Sequence, residues 1–471
     1  MLLASCASMA PPYEVPALPV SPAYTTDAAQ QGADAAAIGW HDYFTDPQLQ
    51  ALIKRALDNN RDLRSAVLRV EEARASYGIQ RAERFPSILA RADGNRSRTP
   101  ADLSLTGQPM IASQYQVDLG VASWEIDFWG RVRSLEGAAL ENYLGTDAAR
   151  RAAALGLVAE VANTYLIVRE FDERIVLARQ TTASREESFR IFTRRVEVGS
   201  TSRFNLTEVQ TLLTQAQALG AELEQARAIQ LNALTLLVGA PAALTPEPGQ
   251  FDETNTLRQL RPGLPSDLLM QRPDIVAAEH QLKAANANIG AARAAFFPRI
   301  ALTGSAGTAS VELAGLFASG SLAWTFLPSI TLPIFDGGRR RNDLSLAEVR
   351  RDLAVANYEK TVQLAFRDVS DALSSRLWLE RQLTIARTAL ATQSERARLA
   401  KLRYASGASA FLDVLDAQRD LLTVAQQLVQ TRRALLTNRV RLYAALGGGA
   451  MDFVALPDAD PANPMRGKSA L

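Results

Sequence analysis

The chain has 471 residues, with 51 lysines and arginines against 50 aspartates and glutamates, one cysteine and two histidines. Near-zero net charge leaves no electrostatic footprint for nucleic acid, one thiol excludes an internal disulfide, and two histidines cannot build a Cys/His metal cluster. No run of eighteen uncharged apolar residues occurs, so no membrane-spanning helix is predicted and any membrane crossing would have to use strands.

Residues 1–45 read as a leader remnant followed by extended chain. Leu3-Ala4-Ser5-Cys6 resembles the bacterial lipoprotein cleavage box, whose cysteine is lipidated and becomes the mature N-terminus. Only Met1 and Leu2 precede it, without the basic and apolar segments of a full signal. Ala7 in the following position suits outer-membrane sorting. A Pro-, Ala- and Ser-rich run from Pro11 to about Ala37 reads as an extended segment lying over a surface.

A first repeat spans 46–238. It opens on a predicted helix from Pro47 to about Glu83, with Leu49, Leu52, Ile53, Ala56 and Leu57 at helical spacing. Phe85-Pro86 ends it, because proline disfavours helix in the residue before it. The period then drops to two. Ile88, Ala90 and Ala92 alternate with Leu89, Arg91 and Asp93; Tyr115, Val117, Leu119 and Val121 alternate with Gln116, Asp118, Gly120 and Ala122. Strands are predicted over ~87–99 and ~113–128. From Arg131 to Val198 there is no proline, and at about 1.5 Å per residue such a helix would be on the order of 100 Å long, too long for a globule. Gly199 reverses it, and a return leg runs to near Gly239. A linker rich in proline and glycine covers 239–265.

The second repeat, 266–446, follows the same plan. Phe297-Pro298 echoes Phe85-Pro86, Ser406-Gly407-Ala408 echoes Val198-Gly199-Ser200, and Arg403, Gln418 and Gly447 match Arg195, Gln210 and Gly239. Strands are predicted over ~299–310 and ~322–335, with Ile300 and Leu302 alternating with Ala301 and Thr303, and with Leu322, Trp324, Phe326, Ile330 and Leu332 on one parity. A helical hairpin over ~339–446 precedes a tail, 447–471. Alternation alone also suits a soluble half-buried sheet. Strand length near the roughly 10 residues of a membrane span, with Tyr115, Trp124 and Trp324 as candidate interfacial aromatics, favours a barrel. Four strands cannot close one, since about eight is the smallest, and open edges do not survive in lipid. Three chains would supply twelve.

The leg after Gly407 carries two apolar seams: Leu412, Leu415, Leu422, Val429, Leu436, Val440 and Tyr443, and Val414, Ala417, Leu421, Val424, Leu428, Leu435 and Leu442. Two seams imply a neighbour on each side, as in the wall of a cylinder. Between them Asp416, Arg419, Thr423, Gln426, Gln430, Arg433 and Thr437 form a polar stripe, either a solvated face or the lining of a water-filled bore. No catalytic constellation or phosphate loop is present, and Gly447-Gly448-Gly449 ends a helix, so no enzyme is predicted.

The duplicated plan, Gly263-Leu264-Pro265-Ser266-Asp267-Leu268-Leu269 with Arg272-Pro273-Asp274-Ile275, Ala291-Ala292-Arg293-Ala294-Ala295-Phe296-Phe297-Pro298, and Leu415-Asp416-Ala417-Gln418-Arg419 resemble the TolC-type outer-membrane efflux proteins, most nearly the OprM-type lipoproteins of that family. The similarity runs from about Ile38 to Gly449. Gln271 stands where the family often has a second arginine. The resemblance implies an α+β membrane channel: a homotrimer whose twelve-stranded transmembrane β-barrel continues into a twelve-helix periplasmic α-barrel, with an equatorial belt. It implies the exit duct of a tripartite pump, with a periplasmic adaptor and an inner-membrane transporter of the resistance-nodulation-division class, no cofactor or metal, and a covalent lipid on Cys6. The implied periplasmic gate is Leu412, Asp416 and Arg419, which three-fold symmetry would turn into rings. The implied adaptor contacts are the hairpin tips, Val198, Gly199, Ser200 and Thr201, and Ser406, Gly407, Ala408 and Ser409. Thr423, Gln426, Gln430 and Arg433 are the bore-lining candidates. By residue chemistry alone, Asp416 and Arg419 would be an ordinary i,i+3 surface pair. The rival functions are a type I protein-secretion duct and a lipid-anchored coiled-coil structural protein without a pore.

Overall fold

The structure, a computed structural model, describes residues 9–21, 33–35, 38–242, 244, 257–258, 260–261 and 272–453. Cys6, Gln271 and the Gly263–Leu269 motif lie outside them. In chain order the elements are β1 (Ala33–Asp34), α1 (Trp40–Tyr43), α2 (Pro47–Asn59), α3 (Arg61–Ala82), β2 (Ile88–Thr99), β3 (Met110–Glu125), α4 (Arg131–Glu197), α5 (Arg203–Val238), β4 (Leu260–Arg261), α6 (Pro273–Ala294), β5 (Arg299–Ser310), β6 (Leu322–Thr331), α7 (Arg339–Ala405) and α8 (Phe411–Ala445). Helix, two strands and a helical hairpin thus occur twice. The last strand stops at Thr331, short of the Phe335 predicted for it. Within α4, one 18-residue window is long and apolar enough for a bilayer span, and half of it is buried inside the protein.

The chain divides into two compact units. The first (Met1–Ala17, Arg69–Asp147, Ala277–Glu359) holds a four-stranded antiparallel sheet in the order β2-β3-β5-β6. Among the described residues both outer strands, β2 and β6, have a partner on one side only. Register puts Ile88, Ala90, Ala92, Val117, Leu119, Leu302, Trp324 and Phe326 on one face, and Arg91, Asp93, Asn95, Gln116, Asp118, Ser305 and Thr325 on the other. A bulge between Val121 and Trp124 shifts that parity by one residue, with Ser123 at φ +50° donating its N–H to Thr303 Oγ1. The bulge keeps Trp124 on the apolar face, opposite Leu302. Strand β5 approaches β3 closely at Gly307, where a Cβ would lie 2.0 Å from the Val117 carbonyl oxygen and 2.5 Å from Asp118 Cα.

In this unit residues 10–13 lie along α6 as an extended strap. Asn286 donates to the Pro11 carbonyl (2.8 Å), Tyr13 donates to Glu279 (3.2 Å), and Lys283 sits over the Tyr13 ring. Gly290 clears the way, since a Cβ there would lie 2.7 Å from the Ala10 nitrogen.

The second unit (Leu18–Leu68, Ala148–Val276, Lys360–Leu471) is helical. The helix predicted from Pro47 to Glu83 is two, broken at Asn60. Asn60 holds an extended ψ of 131°, accepts the Leu63 N–H (2.9 Å) as a cap for α3, and donates to the Leu237 carbonyl (2.9 Å) at the end of α5. Tyr43 stacks on Tyr443 at 4.1 Å, and Gly448 leaves room for the Tyr443 ring. The Arg-Pro-Asp-Ile motif opens α6 as a clamp: Arg272 pairs with Asp274 through two nitrogens (3.0 and 2.6 Å), reaches Asp368 (3.5 Å) and donates to the Ala445 carbonyl (3.1 Å). Burial opposes the Arg272 charge, but the two aspartates outweigh it and the guanidinium holds its proton more tightly than usual.

Gly307→Val displaces backbone rather than a side-chain tip, so it should cost about 3 kcal/mol and reduce the protein recovered in the membrane fraction. Gly78→Ala, with nothing within 4 Å of the new Cβ, should leave insertion and far-ultraviolet circular dichroism unchanged.

Candidate functional site at the hairpin tips

Both reversals are built alike. Gly199 and Gly407 adopt φ of +79° and +75°, the left-handed region that glycine enters without a Cβ penalty. Each closes its helix with the same pair of bonds: Ser200 N–H to the Arg195 carbonyl and Gly199 N–H to that of Val196, and Ala408 N–H to Arg403 with Gly407 N–H to Tyr404. Val198, Gly199 and Ser200, and Ser406, Gly407 and Ala408, are exposed; Thr201 and Ser409 are half-buried. Ser202 caps α5 by accepting the Asn205 N–H, whereas Ala410 offers α8 no side-chain cap.

Residues beside the tips join the two hairpins. Phe411 packs on Phe192 (4.6 Å between ring centroids) and Tyr404 (4.9 Å), and Arg195 donates to the Tyr404 hydroxyl while covering both aromatic neighbours. Phe192, Val209 and Leu415 form a buried cluster with Phe189, Leu206 and Leu212. One seam of α8 therefore meets α4 and α5. The other meets α7, where Leu428 and Leu435 bury against Leu383, Leu379 and Leu390.

The expected gate residues occupy the first turns of α8. Leu412 is exposed. Asp416 and Arg419 pair at 3.1 Å within the helix, with side chains 40% and 54% exposed, and Arg419 also reaches Asp420 at 3.3 Å. Asp420 in turn accepts from Arg396 of α7 (2.5 Å), so the bond from this cluster to a neighbouring helix runs through residues that pattern reading passed over. Arg185 on α4 is a second omission. It is 4% exposed, donates to the Leu212 carbonyl, and has its pKa lowered by burial and then by the charge of Arg419. An arginine between the apolar residues of α4 was the available signal.

The four bore candidates divide. Thr423 is exposed, its hydroxyl donating to the Arg419 carbonyl, and Gln430 is half-buried. Gln426 is 8% exposed and accepts from Arg174 of α4 at 3.2 and 3.0 Å, which corrects its reading as a bore-facing residue. Arg433 pairs with Glu170 (2.8 Å), which also holds Arg174 (2.9 Å). These ionic contacts, with Arg432 on Glu173 (2.5 Å), fasten α8 to α4. At Glu173 burial outweighs Arg432 and raises the carboxyl pKa. No group of three or more metal-ligating side chains occurs among the described residues.

Asp420 titrates below the usual carboxylate range, chiefly because Arg396 donates to it, with Arg419 adding to the effect. A depressed folded-state pKa gives stability that is present above the ordinary aspartate value and lost only as pH falls through the depressed one. Spin labels on cysteines replacing Ser394 and Gln427 should therefore keep one separation from about pH 7.5 to about pH 5 and diverge only in stronger acid. Asp420→Asn should widen that separation at neutral pH.

The sequence profile of the outer membrane efflux protein family matches residues 52–240 and 264–448. The chain is 48% identical over 455 residues to the outer membrane protein OprJ of Pseudomonas aeruginosa, covering 95% of this chain and 94% of the relative. It is 44% identical over 458 residues to the toluene efflux pump outer membrane protein TtgC of Pseudomonas putida, covering 95% and 93%. In three dimensions it matches a membrane protein from Pseudomonas aeruginosa with TM-score 0.89 at 46% identity (94% and 98% covered). It matches the open state of the Neisseria gonorrhoeae MtrE outer membrane channel with TM-score 0.86 at 40% identity (94% and 99% covered).

Proposed function

This chain belongs to the outer membrane efflux protein family and works in the outer membrane, and from that premise we propose that it is the exit duct of a tripartite pump. Three copies close a twelve-stranded barrel through the membrane and a twelve-helix barrel below it. A periplasmic adaptor grips the hairpin tips, and an inner-membrane transporter of the resistance-nodulation-division class supplies the energy. The duct passes small molecules and does no covalent chemistry.

The observation that carries the assembly is the sheet with two open edges. Lipid offers no hydrogen bonds, so β2 and β6 need partners, and one copy's β2 beside the next copy's β6 provides them. Exposed Leu346, Val349 and Leu353, and then Leu377, Trp378 and Ile385, give α7 an apolar surface for a neighbouring copy. The strap supports a lipid anchor on Cys6. Followed backward from Tyr13 beside Glu279 to Ala10 beside Gly290, it heads toward the end of α6 that leads into β5. Cys6 precedes Met9 by three positions in the sequence.

For the gate, Asp416 and Arg419 are partly exposed and paired inside one helix, free to pair also across copies where closed tips converge, a contact that splaying breaks. Exposed ion pairs are worth about 0.2–1 kcal/mol, small enough for an adaptor to overturn. Single-channel conductance in planar bilayers tests this reading. Wild type should conduct weakly, and Asp416→Ala/Arg419→Ala should raise conductance several-fold. Equal conductance removes the gate; absence of current from inserted protein removes the duct.

A further inference from the structure

The apolar face of the sheet carries charge at one end only. Arg96 and Arg98 share the parity of Ile88, Ala90 and Ala92, opposite Ser113 and Ile111 of β3. They are the only ionisable acids or bases at the paired positions of that face short of tyrosine. Both are exposed, and neither makes a hydrogen bond or ion pair with another described residue. They sit at the end of β2 that turns into β3, whereas α3 enters the strand at Ile88. A charge on a lipid-facing strand is costly at the midplane and nearly free at the interface. From Ile88 to Arg98 the strand climbs on the order of 33 Å, or about 25 Å along the membrane normal at a tilt near 40°. That is the height of an apolar band, so the two guanidinium groups reach the headgroup layer farthest from the helices.

We propose that Arg96 and Arg98 form a docking site for the phosphate groups of an outer-leaflet lipid. The proposal rests on the outer-membrane reading above, with the helices on the periplasmic side. Two guanidinium groups two residues apart on one strand, free of carboxylate partners, offer the paired planar donors that phosphate takes in preference to a point charge. Their three-carbon stems lie along the band beneath. Ser113, opposite Arg96, adds a small polar neighbour without blocking approach.

The test uses full-length protein in phosphatidylcholine nanodiscs doped with bisphosphorylated lipid A or with the same lipid A after removal of both phosphates, and counts bound lipid by native mass spectrometry. Wild type should retain the phosphorylated form about tenfold more than the dephosphorylated form, and Arg96→Gln/Arg98→Gln should abolish the difference while still inserting and conducting. Arg96→Lys/Arg98→Lys should restore part of it. Equal retention of the two lipids by wild type, or undiminished preference in the glutamine variant, overturns the site. Failure of wild type to insert at all would instead count against the outer-membrane duct itself.

Discussion

Lipid cannot satisfy a backbone N–H or C=O, and most of what this chain does follows from that. Four strands in the order β2-β3-β5-β6 end in two unpaired edges. Water could cover those edges, but a bilayer cannot, and in the proposed assembly other copies supply the missing neighbours. In that proposed assembly each chain is a sector of a wall. Its exposed leucines, phenylalanine and tryptophans on β6 and α7 are surfaces that lipid or a second copy covers in that proposed assembly, and they would be liabilities in a free monomer.

The helical unit divides its stability along α8. Of the helix's buried residues, Val414, Leu415 and Ala417 lie near the tip, and the other twelve run from Gln426 to Ala445. The deep end is fastened by contacts that are expensive to break: Arg432 with Glu173 at 8% and 11% side-chain exposure, the Arg272 clamp, and Tyr443 stacked on Tyr43. The tip end is held by the cluster of Leu415 and Phe411 with Phe192 and Val209, and otherwise by pairs open to solvent, Asp416 with Arg419 and Arg396 with Asp420. A helix with most of its burial at one end and less at the other is suited to pivoting, and local opening concentrates where burial is low.

Pattern reading recovered the strands, the reversals and the long helices because each has a local cause. Alternation marks a two-faced strand, and Gly199 and Gly407 mark left-handed closures. Where a long-range contact decided the outcome, the pattern misled. Asn60 reads as one more residue of a helix, and breaks it because its side chain finds both Leu63 and the carbonyl of Leu237. Trp124, out of parity with Val117, Leu119 and Val121 in the sequence, nevertheless shares their face because of the bulge at Ser123. Gln426 lies on the polar stripe but is turned inward by Arg174, a partner 252 positions away. The cross-helix bond from Asp420 to Arg396 was equally out of reach of a one-helix view.

The central claim is that β2 of one copy pairs with β6 of another, and photo-crosslinking measures it most directly. A photoreactive phenylalanine analogue placed at Asn95 on β2 of the membrane-inserted protein should join a β6 peptide of a second chain, giving a ladder of one, two and three chains that stops there. Crosslinks confined to a single chain, or a ladder that runs on without closing, would contradict the account.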